Sequence, residues 1–224
     1  MTAGFAAISA YFRRRRMRRF ARTFRIAPET RVLDVGGTLD YWGLLPDPPR
    51  VTLLNTPMAR ETLRTAPAWV AGDGRSLPFR DGAFDVVFSN SVIEHVGGGE
   101  SQARFAREAM RVGRRFWVQT PNRWFPVEQH LFMPLVHWLP RRWQRVLAPR
   151  LQLAHIVLGL SPERRQFYLR HYLEDIRLLD ADGLRALFPG ARLMRERFCG
   201  WTKSLVAWGV RDTKNSAERC GADC

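Results

Sequence analysis

The sequence predicts a doubly wound α/β domain built on a mainly parallel β-sheet. Short apolar runs alternate with helical segments along much of its 224 residues, and this alternation is typical of β–α–β units. Two of the runs end in glycine turns, at residues 36–37 and 72–74. Because such sheets bind ligands beyond the carboxyl ends of their strands, both turns are predicted to lie on one functional edge.

The apolar runs and the stretches between them can be placed in chain order. Parallel strands are predicted at residues 32–35, 51–55, 68–71, 84–89 and 116–120, and closing strands at 191–198 and 204–210. Helical stretches are predicted at residues 57–65, 100–112 and 179–188. Residues 121–179 lose the alternation and are predicted to form an inserted lid, and residues 212–224 a flexible polar tail. The main domain is therefore expected to span residues 30–211.

Composition restricts the class of protein. A hydrophobic content of 46% and eight tryptophans exclude a disordered chain. The net charge of +15 predicts affinity for anionic partners. Three cysteines without zinc-binding spacing predict no metal site and no secreted disulfide framework, so a reducing cytoplasm is expected. No apolar stretch reaches the ~20 residues of a membrane-spanning helix.

Residues 1–29 are predicted to form a basic amphipathic arm. Apolar residues recur at helical spacing with arginines between them, the apolar positions being Phe5, Ile8, Phe12, Met17, Phe20 and Phe24. Three interpretations are open: a helix that packs its aromatic stripe on the domain, a contact with an anionic membrane surface, or a nucleic-acid contact. The second would place a cytoplasmic protein at the inner face of the membrane.

The glycine turn after the first strand does not match a phosphate-binding site. A dinucleotide fingerprint needs G-x-G-x-x-G before a long helix, whereas Gly36-Gly37 is followed by a short segment that prolines interrupt. Asp40 would also repel a phosphate, and no P-loop is present. A ligand without phosphate therefore fits this edge better.

Three motifs in this order resemble those of class I S-adenosylmethionine (SAM)-dependent methyltransferases, in their small-molecule, type 11-like branch. They are VLDVGG at residues 32–37, GDG at 72–74 followed by Leu77-Pro78-Phe79, and FDVVFSNSVIEHV at 84–96. The resemblance implies a Rossmann-like, seven-stranded sheet and SAM as cofactor. It covers residues 30–120 most closely and extends over 180–210.

The resemblance also implies roles for single residues. Gly36 and Gly37 would admit the methionine part of the cofactor, and Asp34 would lie near its ammonium group. Asp73 would accept from the adenine amino group beside the Gly74 N–H. Ser89 and Asn90 would line the methionine side. The sequence departs from the family at Asn55, where a carboxylate usually binds both ribose hydroxyls and an amide would bind without charge assistance.

Methyl transfer from a sulfonium to a hydroxyl needs alignment and a proton acceptor. His95 follows the fourth strand and His130 follows the fifth, so both are candidate catalytic bases, with Glu128 as a third. For each histidine the alternative is a hydrogen-bonded structural residue.

The predicted acceptor is a small molecule, a sugar or a lipid-linked compound, methylated at oxygen. Aromatic residues of the insertion, among them Trp124 and Trp143, could form an apolar wall for it. A nucleic-acid acceptor is disfavoured because Ser89-Asn90-Ser91-Val92 replaces the Asn/Asp-Pro-Pro-aromatic turn used on base amino groups. The alternative class is a non-catalytic cofactor-binding or membrane-surface scaffold.

Overall fold

The computed structural model describes residues 3–59 and 68–211, without the side chains of residues 3–5, 154 and 155. Its centre is a seven-stranded sheet in the order β3-β2-β1-β4-β5-β9-β8. Strand β9 is antiparallel to both of its neighbours, β5 and β8, and the other neighbouring strands are parallel. The strands are β1 (Arg31–Val35), β2 (Arg50–Asn55), β3 (Trp69–Ala71), β4 (Val86–Asn90), β5 (Arg115–Pro121), β8 (Arg192–Phe198) and β9 (Trp201–Val210). The predicted fold class is confirmed.

The described residues contain six α-helices, and three of them cover the two faces of this sheet. The six are α1 (Ala3–Phe24), α2 (Gly99–Val112), α3 (Arg141–Leu151), α4 (Ala154–Leu158), α5 (Pro162–Glu174) and α6 (Ala181–Leu187). Short 3-10 helices lie at Leu39–Leu44, Pro57–Ala59, Ile93–His95 and Val136–Trp138. None of the helices in the described part of the chain combines the length and apolarity needed to cross a bilayer.

The arm predicted at the N-terminus is a single helix that packs on the sheet. Phe20 is fully buried, and its ring contacts those of Phe88 at 4.9 Å and Trp117 at 5.7 Å between centroids. Phe12, Met17 and Phe24 are buried on the same side, whereas Ile8 stays exposed. The interpretation of α1 as a helix that buries its aromatic stripe is therefore confirmed for residues 12–24. The side chain of Phe5 lies outside the described part.

The opposite face of the sheet is covered by α2 and α6. Phe105 and Ala109 of α2 are buried against Leu33 and Val87 of the central strands. The apolar face of α2 has the 3.6-residue period that the sequence shows, so burial of that face fixes the helix on the sheet.

Several element boundaries differ from those predicted, and two of these differences have a clear local cause. The strand expected at 204–210 begins at Trp201, because Cys199 and Gly200 both have positive φ and close a tight hairpin from β8. The helix expected at 179–188 begins at Ala181, because the Asp180 carboxylate caps it by accepting from the Gly183 N–H.

The predicted helix at 57–65 is a 3-10 turn over its first three residues, and positions 60–67 lie outside the described part. The tail at 212–224 also lies outside it.

The segment predicted as a lid contains its own small core. The hairpin of β6 (Val127–Glu128) and β7 (Met133–Pro134) leads into α3, α4 and α5. Leu131, Met133 and Tyr172 are buried together there, away from the two clusters on the sheet. Arg177 N–H donates to the Glu94 carbonyl, which ties the end of this segment to the loop after β4.

Candidate active site

The carboxylate of Asp34 is buried near the end of β1 and only half satisfied. The Trp42 indole N–H donates to its Oδ2 at 2.9 Å. Its Oδ1 has no hydrogen-bond partner among the described residues. Burial raises the pKa of Asp34 to about 7, although the Trp42 hydrogen bond opposes the shift. A buried acceptor oxygen without a donor is costly, so this position is prepared for a cationic or N–H-bearing ligand.

The two glycines after β1 leave space for neighbouring side chains. Gly36 has a positive φ of 77°, and a Cβ there would meet Val92 at 2.5 Å. A Cβ on Gly37 would lie 1.8 Å from Asp34 Oδ2. Any larger residue at Gly37 would therefore displace the carboxylate.

The amides of Asn55 and Asn90 lie on the same edge. Asn55 donates to the Gly37 carbonyl at 3.3 Å and accepts from the Thr56 N–H, so its side chain is held across the turn. Asn90 donates to the Tyr41 hydroxyl at 3.0 Å. Both amides thus border the turn after β1, as expected for groups around a cofactor.

Arg16 of α1 reaches this edge from the other layer. Its guanidinium donates to Asn90 Oδ1 and to both carboxylate oxygens of Glu196 on β8. Arg16 is 5% exposed and Glu196 7%, so this ion pair is buried. The sequence reasoning did not single out Arg16, which is one of many arginines in a run and carries no distinguishing local signal.

The remaining predicted cofactor residues are engaged within the protein. Asp73 forms an ion pair with Arg75, with 2.6 Å between Oδ2 and Nη2, and the hydrogen bond from Arg75 lowers the pKa of Asp73. The backbone of Gly74 packs against Phe105.

Ser89 is fully buried and its hydroxyl donates to the Val35 carbonyl. Ser89 therefore joins β4 to β1, and its side chain is not open to a ligand.

The candidate bases His95 and His130 are brought together although 35 residues separate them. The 3-10 helix Ile93–His95 follows β4, and the loop between β6 and β7 carries His130 to it. Their Nε2 atoms are 3.3 Å apart. His95 is 28% exposed and His130 16%, so a molecule at this edge can reach both rings.

Glu128 fixes His130. Its carboxylate accepts from the backbone N–H groups of His130 and Leu131, and its Oε1 lies 2.5 Å from His130 Nδ1. Burial is the largest influence on His130 and lowers its pKa, but the hydrogen bond to Glu128 and the charges of Glu128 and Glu94 together outweigh it, and the net shift is upward. Glu128 is thus an orienting residue with its oxygens already occupied.

His95 has a second histidine on its other side. Its Nδ1 lies 2.8 Å from Nε2 of His171 on α5, and His171 Nδ1 lies 2.7 Å from Asp175 Oδ2. Burial, together with the charges of His130 and His171, lowers the pKa of His95 to about 3. Only the packing of α5 against the loop after β4 shows the place of His171.

Glu94 is a further member of this cluster. It is fully buried, and its Oε2 accepts from the Thr120 hydroxyl at 3.0 Å. Its Oε1 has no hydrogen-bond partner among the described residues and lies 3.9 Å from His95 Nε2. Burial raises the pKa of Glu94 to about 7. The Glu94 carboxylate thus points inward, toward Thr120 of β5.

Comparisons with known proteins bear on the fold and on the family of the central residues. Residues 30–115 match the family model of a methyltransferase domain. Among solved structures, magnesium protoporphyrin IX methyltransferase from Synechocystis PCC 6803 with bound SAH is similar at a TM-score of 0.51 and 14% identity, over 89% of this chain and 83% of that one. The N-terminal domain of EvdMO1, in the presence of SAH and D-fucose, is similar at a TM-score of 0.51 and 19% identity, with the same coverage.

A third similar structure shares the fold under a different assignment. It comes from Rhodobacter sphaeroides and is provisionally assigned as Zn-dependent alcohol dehydrogenases. Its TM-score is 0.55 at 14% identity, over 84% of this chain and 86% of that one. At these identities the likeness of all three structures establishes the fold alone.

The seven-stranded, mainly parallel sheet and the methyltransferase domain matched at residues 30–115 are consistent with a class I methyltransferase. The chain is a SAM-dependent methyltransferase, and SAM is its cofactor. The residues present fit that group. Asp34 offers an unpartnered buried oxygen, and Gly37 leaves that carboxylate in place, since a Cβ there would lie 1.8 Å from Asp34 Oδ2.

Proposed function

We propose that the protein methylates a hydroxyl oxygen of a small-molecule acceptor at the His95–His130 pair. The observation that supports this is the convergence of two imidazole Nε2 atoms, 3.3 Å apart, beside the loop after β4. Both rings are partly exposed, and each is oriented by partners behind it. No other cluster in the described part of the chain presents imidazole nitrogens to the cofactor edge.

Some of these residues would bind the cofactor, and others would activate the acceptor hydroxyl. Asp34, Gly36 and Gly37 would hold the methionine part of the cofactor, with Asn55 and Asn90 at its flanks. When bound, SAM supplies a methyl group on a positively charged sulfur.

His95 and His130 orient the acceptor hydroxyl and take up its proton as the new C–O bond forms. Glu128 and His171 keep the two rings aligned. The segment 121–179 acts as the acceptor lid.

Single histidine variants test this proposal. His95→Ala and His130→Ala should each lower kcat by about 10²-fold or more, the range of a lost acid–base group. Calorimetric titration with SAH should give the same affinity as the wild type, because neither ring belongs to the cofactor turn. His137→Asn is the matched control, since it removes a lid histidine outside the pair. Full turnover in both single variants would contradict the proposal.

An apolar or lipid-linked acceptor is supported by the surface of the lid. Its helices and loops expose large apolar side chains, namely Trp124, Trp143, Ile156 and Phe167. Arginines lie among them, and a cavity of about 210 Å³ beside α1 is lined by Arg15, Arg19, Arg195 and Arg197, with Phe12 and Glu196. Arginine together with aromatic side chains suits an anionic interface, so we propose that the protein works at the cytoplasmic face of a membrane.

Vesicle sedimentation tests the membrane contact. Binding to vesicles of anionic lipid should fall in the double variant Trp143→Ser, Phe167→Ser and stay absent for neutral vesicles. Deleting residues 1–25 is unsuitable, because α1 supplies the fully buried Phe20 to the main core. Equal sedimentation of the wild type and the double variant would contradict the proposed membrane contact. Cofactor binding without product on any hydroxyl acceptor would favour the non-catalytic scaffold.

A further inference from the structure

Three side-chain atoms converge at the histidine pair in a way that proton acceptance alone does not explain. Each of Glu94, His95 and His130 offers one potential ligand atom, and these atoms all lie within 4.8 Å of one another. The carboxylate is fully buried and the rings are partly exposed. Two imidazoles and one carboxylate with an open side form a donor set that transition metals use.

The hydrogen bonds behind the rings decide which nitrogens carry lone pairs. His130 Nδ1 faces Glu128, so it carries the hydrogen and its Nε2 keeps the lone pair of a neutral ring. His171 Nδ1 likewise donates to Asp175, so its Nε2 accepts from His95 Nδ1. The Nε2 lone pairs of His95 and His130 therefore face each other. The gap between them must hold either one proton on His130 or a cation.

The carboxylate oxygen Oε1 of Glu94 distinguishes a proton from a cation in this gap. A proton between the nitrogens leaves Glu94 Oε1 without a partner at 3.9 Å from His95 Nε2. A cation in the same gap satisfies both nitrogens and this oxygen together. The 3.3 Å between the nitrogens also suits a metal, since two ligands bound at about 2.05 Å in tetrahedral geometry stand about 3.3 Å apart.

We propose that Glu94, His95 and His130 bind a divalent transition-metal ion through Oε1 and the two Nε2 atoms. The sequence predicted no metal site, because the two histidines are 35 residues apart and no cysteine lies near them. The ion is of the Zn²⁺, Mn²⁺, Fe²⁺ or Co²⁺ type, because two imidazole ligands disfavour Mg²⁺ and Ca²⁺. Three protein ligands leave positions open for an oxygen ligand.

The surroundings of the site have the form of a metal site's outer shell. A metal-bound histidine usually donates its other N–H to a carboxylate, a carbonyl or water. His130 donates to Glu128, and His95 donates to His171, which in turn donates to Asp175. Thr120 holds the other oxygen of Glu94. Each of the three ligands is therefore oriented from behind.

Titration of the chelator-treated full-length protein with CoCl₂ tests the site directly. Co²⁺ absorbs visible light, and the intensity of its bands reports whether it is four-coordinate. We expect one Co²⁺ per chain and a spectrum of nitrogen and oxygen ligands. His130→Ala and Glu94→Gln should each weaken binding at least tenfold. Glu128→Gln, which keeps all three ligands, should weaken it about 10- to 100-fold.

Matched controls separate the site from unspecific binding. Glu100→Gln removes an exposed carboxylate from α2, and His137→Asn removes a lid histidine outside the cluster. Both should bind Co²⁺ as the wild type does, and thermal melting establishes that each variant is folded. Absence of stoichiometric Co²⁺ binding, or binding unchanged in both His130→Ala and Glu94→Gln, would overturn the proposal.

A bound cation would change how the acceptor is activated, and this consequence rests on the proposed function. The ion would bind the acceptor oxygen and lower the pKa of its hydroxyl. The proton would then leave to water, because the imidazole lone pairs hold the ion. The Co²⁺ titration needs neither cofactor nor acceptor. Its failure therefore leaves methyl transfer standing, and failure to find an acceptor leaves the metal site standing.

Discussion

Replacing Asp34 by Asn should stabilise the cofactor-free protein above neutral pH. The Asp34 carboxyl is buried with one unpartnered oxygen, and burial raises its pKa to about 7. A neutral Asn imitates the protonated acid in shape and can still accept from the Trp42 indole. The variant therefore removes the cost of a buried charge and leaves the packing of the turn unchanged.

The magnitude follows from proton linkage. The folded state holds the proton up to about pH 7, whereas the unfolded chain loses it near the ordinary pKa of an aspartate, 3.8. Between these values the folded state binds more protons than the unfolded state, so wild-type stability falls as pH rises. A shift of about three units corresponds to an upper value of ~4 kcal/mol. The advantage of Asp34→Asn should be near zero at pH 4 and reach about this value at pH 8.

Urea unfolding at several pH values measures the effect. Wild type and Asp34→Asn share every other titrating group, so the difference in their free energies of unfolding isolates this carboxyl. Asp40→Asn, at an exposed position of the following 3-10 helix, is the matched control and should show no such pH dependence. A constant difference between pH 4 and pH 8 would refute the reasoning. At pH 8, SAH should stabilise the wild type and fail to stabilise Asp34→Asn.

Three further changes test other parts of the structure. Gly37→Ala should abolish SAH binding in calorimetry while the protein stays folded, because its Cβ would lie 1.8 Å from a carboxylate oxygen of Asp34; unchanged affinity would contradict the assigned turn. Phe20→Ala should cost about 3–5 kcal/mol in urea unfolding, because the ring is fully buried among aromatic side chains; a loss below 1 kcal/mol would show that α1 is not part of the core. Glu196→Gln should cost about 3–5 kcal/mol by leaving Arg16 buried without its charge partner, and the double variant with Arg16→Met should recover most of that loss if the pair acts as a unit.

The sheet and the turn after β1 could be predicted because their signals are local. An apolar run that ends at Gly36-Gly37 marks a buried strand and its turn within a few residues. The stripe on α1 is equally local, since Phe20 and Phe24 lie one helical turn apart. Such patterns constrain which face is buried without specifying what covers it. The register between strands came only with the structure.

The parts of the site that escaped prediction depend on contacts between distant residues. Arg16 and Glu196 are 180 positions apart, and nothing near either one marks it as half of a buried pair. His171 reaches His95 only because α5 folds back onto the loop after β4. Glu94 could be placed in that loop, but the direction of its side chain depends on Thr120 of the neighbouring strand. Spacing along the chain cannot supply these relations.

The packing of α1 also determines the order of events during synthesis. The aromatic stripe of the helix packs on β4, β5 and β9, which are all made after it, and Arg16 pairs with a strand made 180 residues later. At about 5–20 residues per second, that interval is roughly 10–40 s. Until the last hairpin is made, Arg16 lacks its carboxylate partner and the apolar stripe lacks its contacts with β9. A chain truncated before β8 would leave this part of α1 without those contacts.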